Sequence, residues 1–510
     1  MLKPGKHSLS YFTIFHYITL CVLWGFVICH AFTMFITNDE AYSFFLMKTN
    51  YLKAMVGTAN THWLNSIFMK IFNLVFGNDI GYMRIQSIIV FPFFAIGVFK
   101  LSHFIQNIFL QIAFYCLVLF NPYILDYFSL ARGYALALTF QVWMIIFFLE
   151  ATSSKEFIYK KWLAVFVCGL LSIASNFSYL YSFLGVAGCF SYLLITSQEY
   201  SLKIKNVKSI LLLFLVLITS TIAALLVIKY YGHDLDYGGD TYLILSLINS
   251  VWRGSLYFAS SSYLADTIGY VSFILLLGSI IYFWLASIKQ SHFSKPLIIS
   301  IPVIAIILLN IVFHILFKTP FLLFRTAIQW FPVGVLLIIL FFDTVTTKIK
   351  INKCIQLLFC CIFSLLIIIH FIRQSNIHYC YENEVLVESR NSLEDLSNCH
   401  PKNAAVPIYF LGVYTNYYKI IDSNLAKVPL KIIREDELLN YSSAQLKSYL
   451  KFDYMIASLA LLERMKQAGI SFKIVKGYQL STDKLIRINS APEAQICGVD
   501  NVCCVSVPKF

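Results

Sequence analysis

The chain has 510 residues, 59% of them hydrophobic and 13% charged, with a formal net charge of +13. Soluble domains carry about 25% charged residues, so this composition and a mean hydropathy of +0.74 exclude a soluble protein. The basic excess does not point to nucleic acid, because the lysines fall in alternate loops between apolar runs.

Apolar runs of roughly 20 residues predict transmembrane helices. They lie at 11–36, 82–101, 105–125, 132–149, 161–176, 178–197, 208–230, 268–288, 296–317, 321–343 and 354–372. That gives about eleven spans. The first run is longer than the roughly 7–15 residues of a signal-peptide core, and no small-x-small site follows it. It is expected to remain as an anchor.

Lys3 and Lys6 precede the first span, and Lys100 follows the second. Lys155, Lys160 and Lys161 follow the fourth, with further lysines after the sixth, eighth and tenth. By the positive-inside rule these loops are cytoplasmic. The loops 37–81, 126–131, 231–267 and 318–320 therefore face outward, together with everything after Arg373.

The fold class expected is an α-helical polytopic membrane module over 1–372, followed by an extracytoplasmic α/β domain over 373–510. In that tail short apolar runs predict strands at 406–413, 430–433, 453–457, 472–475 and 485–488. A helix over 459–468 ends at Gly469, which suits a left-handed cap. Most of the 13 cysteines lie in spans, but Cys380, Cys399, Cys497, Cys503 and Cys504 lie in the tail. An extracytoplasmic setting permits disulfides there, and Cys380–Cys399 with Cys497 to Cys503 or Cys504 is one of several connectivities.

Chemistry is expected in the outward loops, because an ionisable group within hydrocarbon costs at least about 2.5–3.5 kcal/mol. Asp39 and Glu40 stand just beyond the first span, where a carboxylate can take a proton from an acceptor at the membrane surface. The stretches 41–55 and 62–76 are too short and polar to span, and are expected to lie along the interface. Arg84, Arg132, Arg253 and Arg325 fall on the same outward side. Their planar guanidinium groups match a lipid phosphate. The loop 231–267 holds His233, Asp234 and Asp236 among glycines, and a substrate-ordered lid is preferred there over a metal site.

The order of these features is similar to that of the GT-C glycosyltransferases that use polyprenyl-phosphate sugars. That superfamily includes the protein O-mannosyltransferases and the lipid A aminoarabinose transferases. The matching segments are Asp39-Glu40, Asn60-Thr61-His62-Trp63-Leu64-Asn65, Arg84-Ile85-Gln86-Ser87, Ala131-Arg132-Gly133-Tyr134 and Arg325-Thr326. The resemblance runs to roughly residue 340 and is strongest over 37–138. Trp63 and Gln86 each stand where relatives frequently have proline.

The resemblance implies inverting transfer of a sugar from a polyprenyl-phosphate donor to an acceptor hydroxyl at the extracytoplasmic face. It makes Asp39 the general base, with Glu40 orienting the acceptor or Asp39. Arg325 and Arg132 would stabilise the departing phosphate, with Arg84 third, and His62 and Tyr134 would line the substrate site. No cofactor or metal is expected, since the lipid-linked sugar is a substrate and its phosphate is already a good leaving group. Expected partners are the polyprenyl-phosphate sugar, membrane lipids and an acceptor that is a lipid-linked glycan, lipid A, a polysaccharide or a protein. A bacterial inner membrane with a periplasmic tail is the expected location. A transporter or flippase would place acids at mid-membrane, and a non-catalytic scaffold would not account for the ordered motifs.

Overall fold

The computed structural model describes residues 6–34, 36–49, 62–77, 80–153, 158–196, 218, 221–222, 225, 239–240, 242–257, 262–290, 295–349, 352–378, 380, 404–407, 430–433, 438–450, 452, 454–477 and 484–488. The chain divides into two compact units. One comprises Met1–Met34 with Leu46–Tyr381, and the other Phe35–Phe45 with Glu382–Phe510.

The first unit is helical. Among the described residues, seven helical segments are long and apolar enough to cross a membrane: Tyr11–Thr33, Ile85–Ser102, Tyr134–Thr152, Tyr263–Ile288, Lys295–Phe317, Phe324–Ile349 and Lys353–Gln374. The protein is thus an integral membrane protein. Its core is aromatic, with Trp162, Trp330, Tyr115, Phe91, Phe94 and Phe114 almost wholly buried. Leu74, Val75, Ile281, Leu358 and Phe359 are exposed apolar side chains of the kind that hydrocarbon rather than water would cover.

One of the expected spans turns out differently. The run 105–125 is two helices, Ile108–Leu119 and Pro122–Phe128, bent by 55°. The break has a local cause: Asn121 Oδ1 accepts the Ile124 N–H at 3.3 Å and Pro122 occupies the first helical turn. Asn followed by Pro is a helix start, which the apolar run conceals. The runs 161–176 and 178–197 become helices Tyr159–Ser175 and Leu180–Thr196, of 17 residues each. At 1.5 Å per residue each described helix is about 26 Å long, at the lower end of the range that crosses a hydrocarbon layer. Most of the run 208–230 lies outside the described residues.

Between the first two long helices, helix Trp63–Phe76 is amphipathic, burying Asn65, Ser66, Met69 and Asn73. It closes at Gly77, whose φ of 93° only glycine adopts readily. The other stretch expected at the interface, 41–55, begins within helix Asn38–Thr49, and its continuation through residue 55 lies outside the described residues.

On the lysine-rich side, the Asp343 carboxylate accepts the backbone N–H groups of Gln106 at 2.8 Å and Asn107 at 3.1 Å. Asn107 in turn caps helix Ile108–Leu119 by accepting the Phe109 N–H at 2.9 Å. One carboxylate therefore ties helix Phe331–Ile349 to the start of another helix.

The second unit holds a five-stranded mixed sheet. Its order is Leu430–Ile433, Ala404–Pro407, Tyr454–Ala457, Lys484–Ile488, Phe472–Gly477. The first three strands are parallel, with Ala404 opposite both Leu430 and Tyr454. The last two pair antiparallel, Tyr454 with Arg487 and Phe472 with Ile488. Helix Leu459–Gln467 is capped by Ser458 and buries Leu461, Leu462 and Met465. It ends at Gly469, φ 65°, where Ile470 N–H reaches back to Met465 O at 3.0 Å. The proposed disulfides involve Cys399, Cys497, Cys503 and Cys504, which lie outside the described residues.

Replacing Asp343 with Ala leaves two part-buried N–H groups without this acceptor, each costing at most about 1–3 kcal/mol, the figure for a fully buried unsatisfied donor. Asp343→Ala should lower the thermal unfolding midpoint of the detergent-solubilised protein by several degrees, whereas Asp343→Asn, which keeps an acceptor, should lose less.

Candidate active site

Three of the motif segments meet in the first unit, each at the beginning of a helix. His62 precedes helix Trp63–Phe76, Arg84 precedes helix Ile85–Ser102, and Gly133 precedes helix Tyr134–Thr152. A helix start carries unpaired N–H groups and about half a positive charge. The segments are locked together by side chains: Asn65 Nδ2 donates to Ala131 O at 2.8 Å, Gln86 Nε2 donates to Asn65 Oδ1 at 3.0 Å, and Ser87 Oγ donates to Leu130 O at 2.6 Å. Both departures from the family pattern are put to use here. Gln86 is a link in this network, and Trp63 packs edge-on against Phe177 at 5.0 Å.

Arg84 is fully buried. Its Nη1 donates to Ala31 O at 2.8 Å and Met34 O at 2.7 Å, at the end of helix Lys6–Thr33. Carbonyls at a helix end generally lack partners within the helix, and the helix dipole is negative there. A cation is the natural cap, so this arginine pins the exit of the first helix beside the start of the second long one.

His62 is buried, and its ring lies 5.2 Å from that of Tyr134, nearly edge-on. Arg132 is buried too, with its guanidinium 5.8 Å from the Tyr134 ring, within cation–π range. Tyr134 packs against Tyr127, whose hydroxyl donates to that of Tyr123 at 2.8 Å. Gly133 makes the crowding possible. A Cβ at that position would stand 1.8 Å from Ser175 O and 2.7 Å from the His62 Cβ.

Residues outside the expected set extend this region. Asp126 is buried, accepts the Tyr257 hydroxyl at 2.9 Å, and has His30 Nδ1 at 3.9 Å. Burial pushes the Tyr257 phenol well above its ordinary range, and the Asp126 carboxylate beside it adds to the shift. Asp126 follows Pro122 by four residues in a strongly apolar run, and an acid in such a run is itself a signal of function. Its partners stand 131 and 96 residues away, a separation that no local pattern reveals.

Arg325 lies in the short 3₁₀ turn Phe324–Thr326 and is half-buried. Thr326 Oγ1 steadies that turn by accepting the Leu323 N–H at 2.9 Å, and Gln329 Nε2 bridges Ser178 O at 2.8 Å to Thr326 O at 3.3 Å. Arg253 is committed elsewhere, in a two-pronged pair with Asp266 at 2.7 and 2.6 Å.

Asp39 and Glu40 belong to the second unit. They occupy the first turn of helix Asn38–Thr49. Glu40 is buried, its Oε2 accepting the Thr37 N–H at 2.9 Å, while Thr37 Oγ1 accepts the Glu40 N–H at 3.3 Å. Thr-x-x-Glu is the capping-box signature, readable in the sequence as Thr37 to Glu40. The box fixes the helix start on which the half-buried Asp39 sits. His233, Asp234 and Asp236 lie outside the described residues.

Gly133→Ala forces a side chain into a backbone carbonyl. It should cost well over about 1–3 kcal/mol, the usual price of overpacking, and appear as loss of folded protein in size-exclusion chromatography. Asn65→Ala, which only breaks the network, should fold with a lowered midpoint.

No protein-family model matches the chain, and no curated protein matches it significantly. Solved structures do. ArnT from Cupriavidus metallidurans in the apo state superposes with a TM-score of 0.54 at 9% identity, covering 95% of this chain and 100% of that one. ArnT from the same organism bound to undecaprenyl phosphate gives a TM-score of 0.51 at 10% identity, over 94% and 98% of the two chains. An Archaeoglobus fulgidus oligosaccharyltransferase in the apo form follows at 0.47 and 11% identity, over 89% and 70%, too distant in shape to add to this. At such identities the likeness is one of fold: this chain shares the fold of the two ArnT structures.

Proposed function

We propose that this protein is a membrane glycosyltransferase that moves a sugar from a polyprenyl-phosphate donor to an acceptor hydroxyl. The reaction takes place at the extracytoplasmic face of a bacterial inner membrane, with the membrane module over 1–372 carrying the chemistry and the periplasmic α/β domain over 373–510 serving recognition or support. The observation that carries this reading is the Asn65–Gln86–Ala131 and Ser87–Leu130 network, which gathers three motif segments at three helix starts beside Arg132. Helix starts and arginines suit an anion. The superposed ArnT that holds undecaprenyl phosphate supports a polyprenyl phosphate as that anion.

In the proposed step the acceptor oxygen bonds to the anomeric carbon as the bond from that carbon to the phosphate oxygen breaks. The electron pair leaves on the polyprenyl phosphate, and the acceptor proton passes to Asp39. Attack from the face opposite the phosphate inverts the anomeric centre. Glu40 holds Asp39 through the capping box. Arg132 and Arg325 stabilise the charge growing on the phosphate, Arg84 adds a third cation while fixing the backbone, and His62 with Tyr134 shapes the sugar pocket. A phosphate leaves readily without a Lewis acid, so the proposal assigns no metal.

Rates of donor consumption by variants in lipid nanodiscs test these roles. Asp39→Asn should lose about 10²–10⁴ in rate, the usual worth of a general base. Glu40→Gln should keep most activity because glutamine also completes a capping box. Near-normal transfer by folded Asp39→Asn would show that the base lies elsewhere.

A further inference from the structure

Residues Leu245–Asn249 form one turn of π-helix, running directly into helix Ser250–Leu256. Such turns are rare and are found frequently at functional sites, because they redirect the side chains that follow. The side chain redirected here is Ser250, which is fully buried. Its hydroxyl oxygen accepts the backbone N–H of Phe324 at 2.8 Å, and its proton goes to Ser246 O, one turn back in the π-helix. A hydroxyl can do both at once, and an alanine neither.

Phe324 is the residue before Arg325, and its φ of 47° is left-handed. L-residues with a bulky side chain rarely adopt that conformation, and it persists only where the surroundings impose it. The surroundings here are the same π-helical segment and a short strand pair. Leu247 O accepts Trp330 Nε1–H at 2.7 Å, and Leu322 and Phe321 pair as a short strand with Gly239 and Asp240. The sharp turn that presents Arg325 is thus held from both sides, with Ser250 at its strained residue.

We infer that Ser250 is a positioning residue for Arg325: its hydroxyl holds Phe324 in the left-handed conformation and thereby sets the backbone from which Arg325 engages a lipid phosphate. This rests on the reading of Arg325 as a phosphate ligand given above. Ser250 itself touches no substrate.

The test is binding of undecaprenyl phosphate to the full-length protein in nanodiscs. It compares wild type, Arg325→Gln, Ser250→Ala, Ser250→Thr and the Ser250→Ala/Arg325→Gln pair. Losing this hydrogen bond should weaken binding roughly tenfold in Ser250→Ala. Ser250→Thr should stay within about twofold, since it keeps the hydroxyl. The double variant should bind no worse than Arg325→Gln alone, since Ser250 acts through that residue. In a Phe324→Gly background, where glycine takes the left-handed conformation freely, the loss on adding Ser250→Ala should shrink to about twofold. That background also supplies the comparison should Ser250→Ala alone not fold. Wild-type affinity in Ser250→Ala, additive losses in the double variant, or an undiminished loss in the glycine background would each overturn the positioning role. Unchanged binding by Arg325→Gln would instead overturn the reading of Arg325, and the inference with it.

Discussion

A backbone carbonyl at a broken helix end, buried away from water, must find a donor or cost about 1–3 kcal/mol. The first unit is full of such ends, and its polar motif residues are the donors. Arg84 serves Ala31 and Met34, Ser87 serves Leu130, and Asn65 serves Ala131. Gln329 serves Ser178, and Trp330 serves Leu247. In hydrocarbon, irregular backbone is tolerated only under this kind of cover. The side chains that resemble a catalytic signature are in large part the ones that make the interrupted helices possible.

This arrangement has an electrostatic consequence. Breaking helices at a common level turns several helix starts toward one region, and each start carries partial positive charge. Arg132 adds a full charge, held near Tyr134. Asp126, one residue before Tyr127, accepts the Tyr257 hydroxyl. On the proposed reading, the cationic excess receives the lipid phosphate and the helix breaks leave room for the sugar. Gly133 shows how tightly the space is drawn, since even a methyl group there meets Ser175 O.

Much of this was legible in the sequence. Hydropathy located the long helices because a membrane span is a property of composition over about 20 residues. The segments 84–87 and 131–134 stood out because arginine at the edge of an apolar run is costly. Strand Leu430–Ile433 could be read from its residues alone. The rest depended on contacts that composition does not encode. The kink at Asn121-Pro122 was hidden by the apolar residues on both sides, although its cap chemistry is local. The hold of Arg84 on the first helix could not be read from the sequence, because its carbonyl partners are about 50 residues away. The Thr37–Glu40 capping box was readable but masked by the more conspicuous carboxylate pair.

Superposition on the ArnT structures establishes a shared fold, and the proposed chemistry rests on the residues placed within it. The most direct test of that chemistry is to supply purified wild-type protein in lipid with a panel of polyprenyl-phosphate sugars and a crude membrane extract as acceptor. The readout is release of free polyprenyl phosphate. The account predicts release from at least one donor, dependent on the extract and accompanied by sugar on a new acceptor. No release from any donor, by protein that is folded and binds undecaprenyl phosphate, would contradict it.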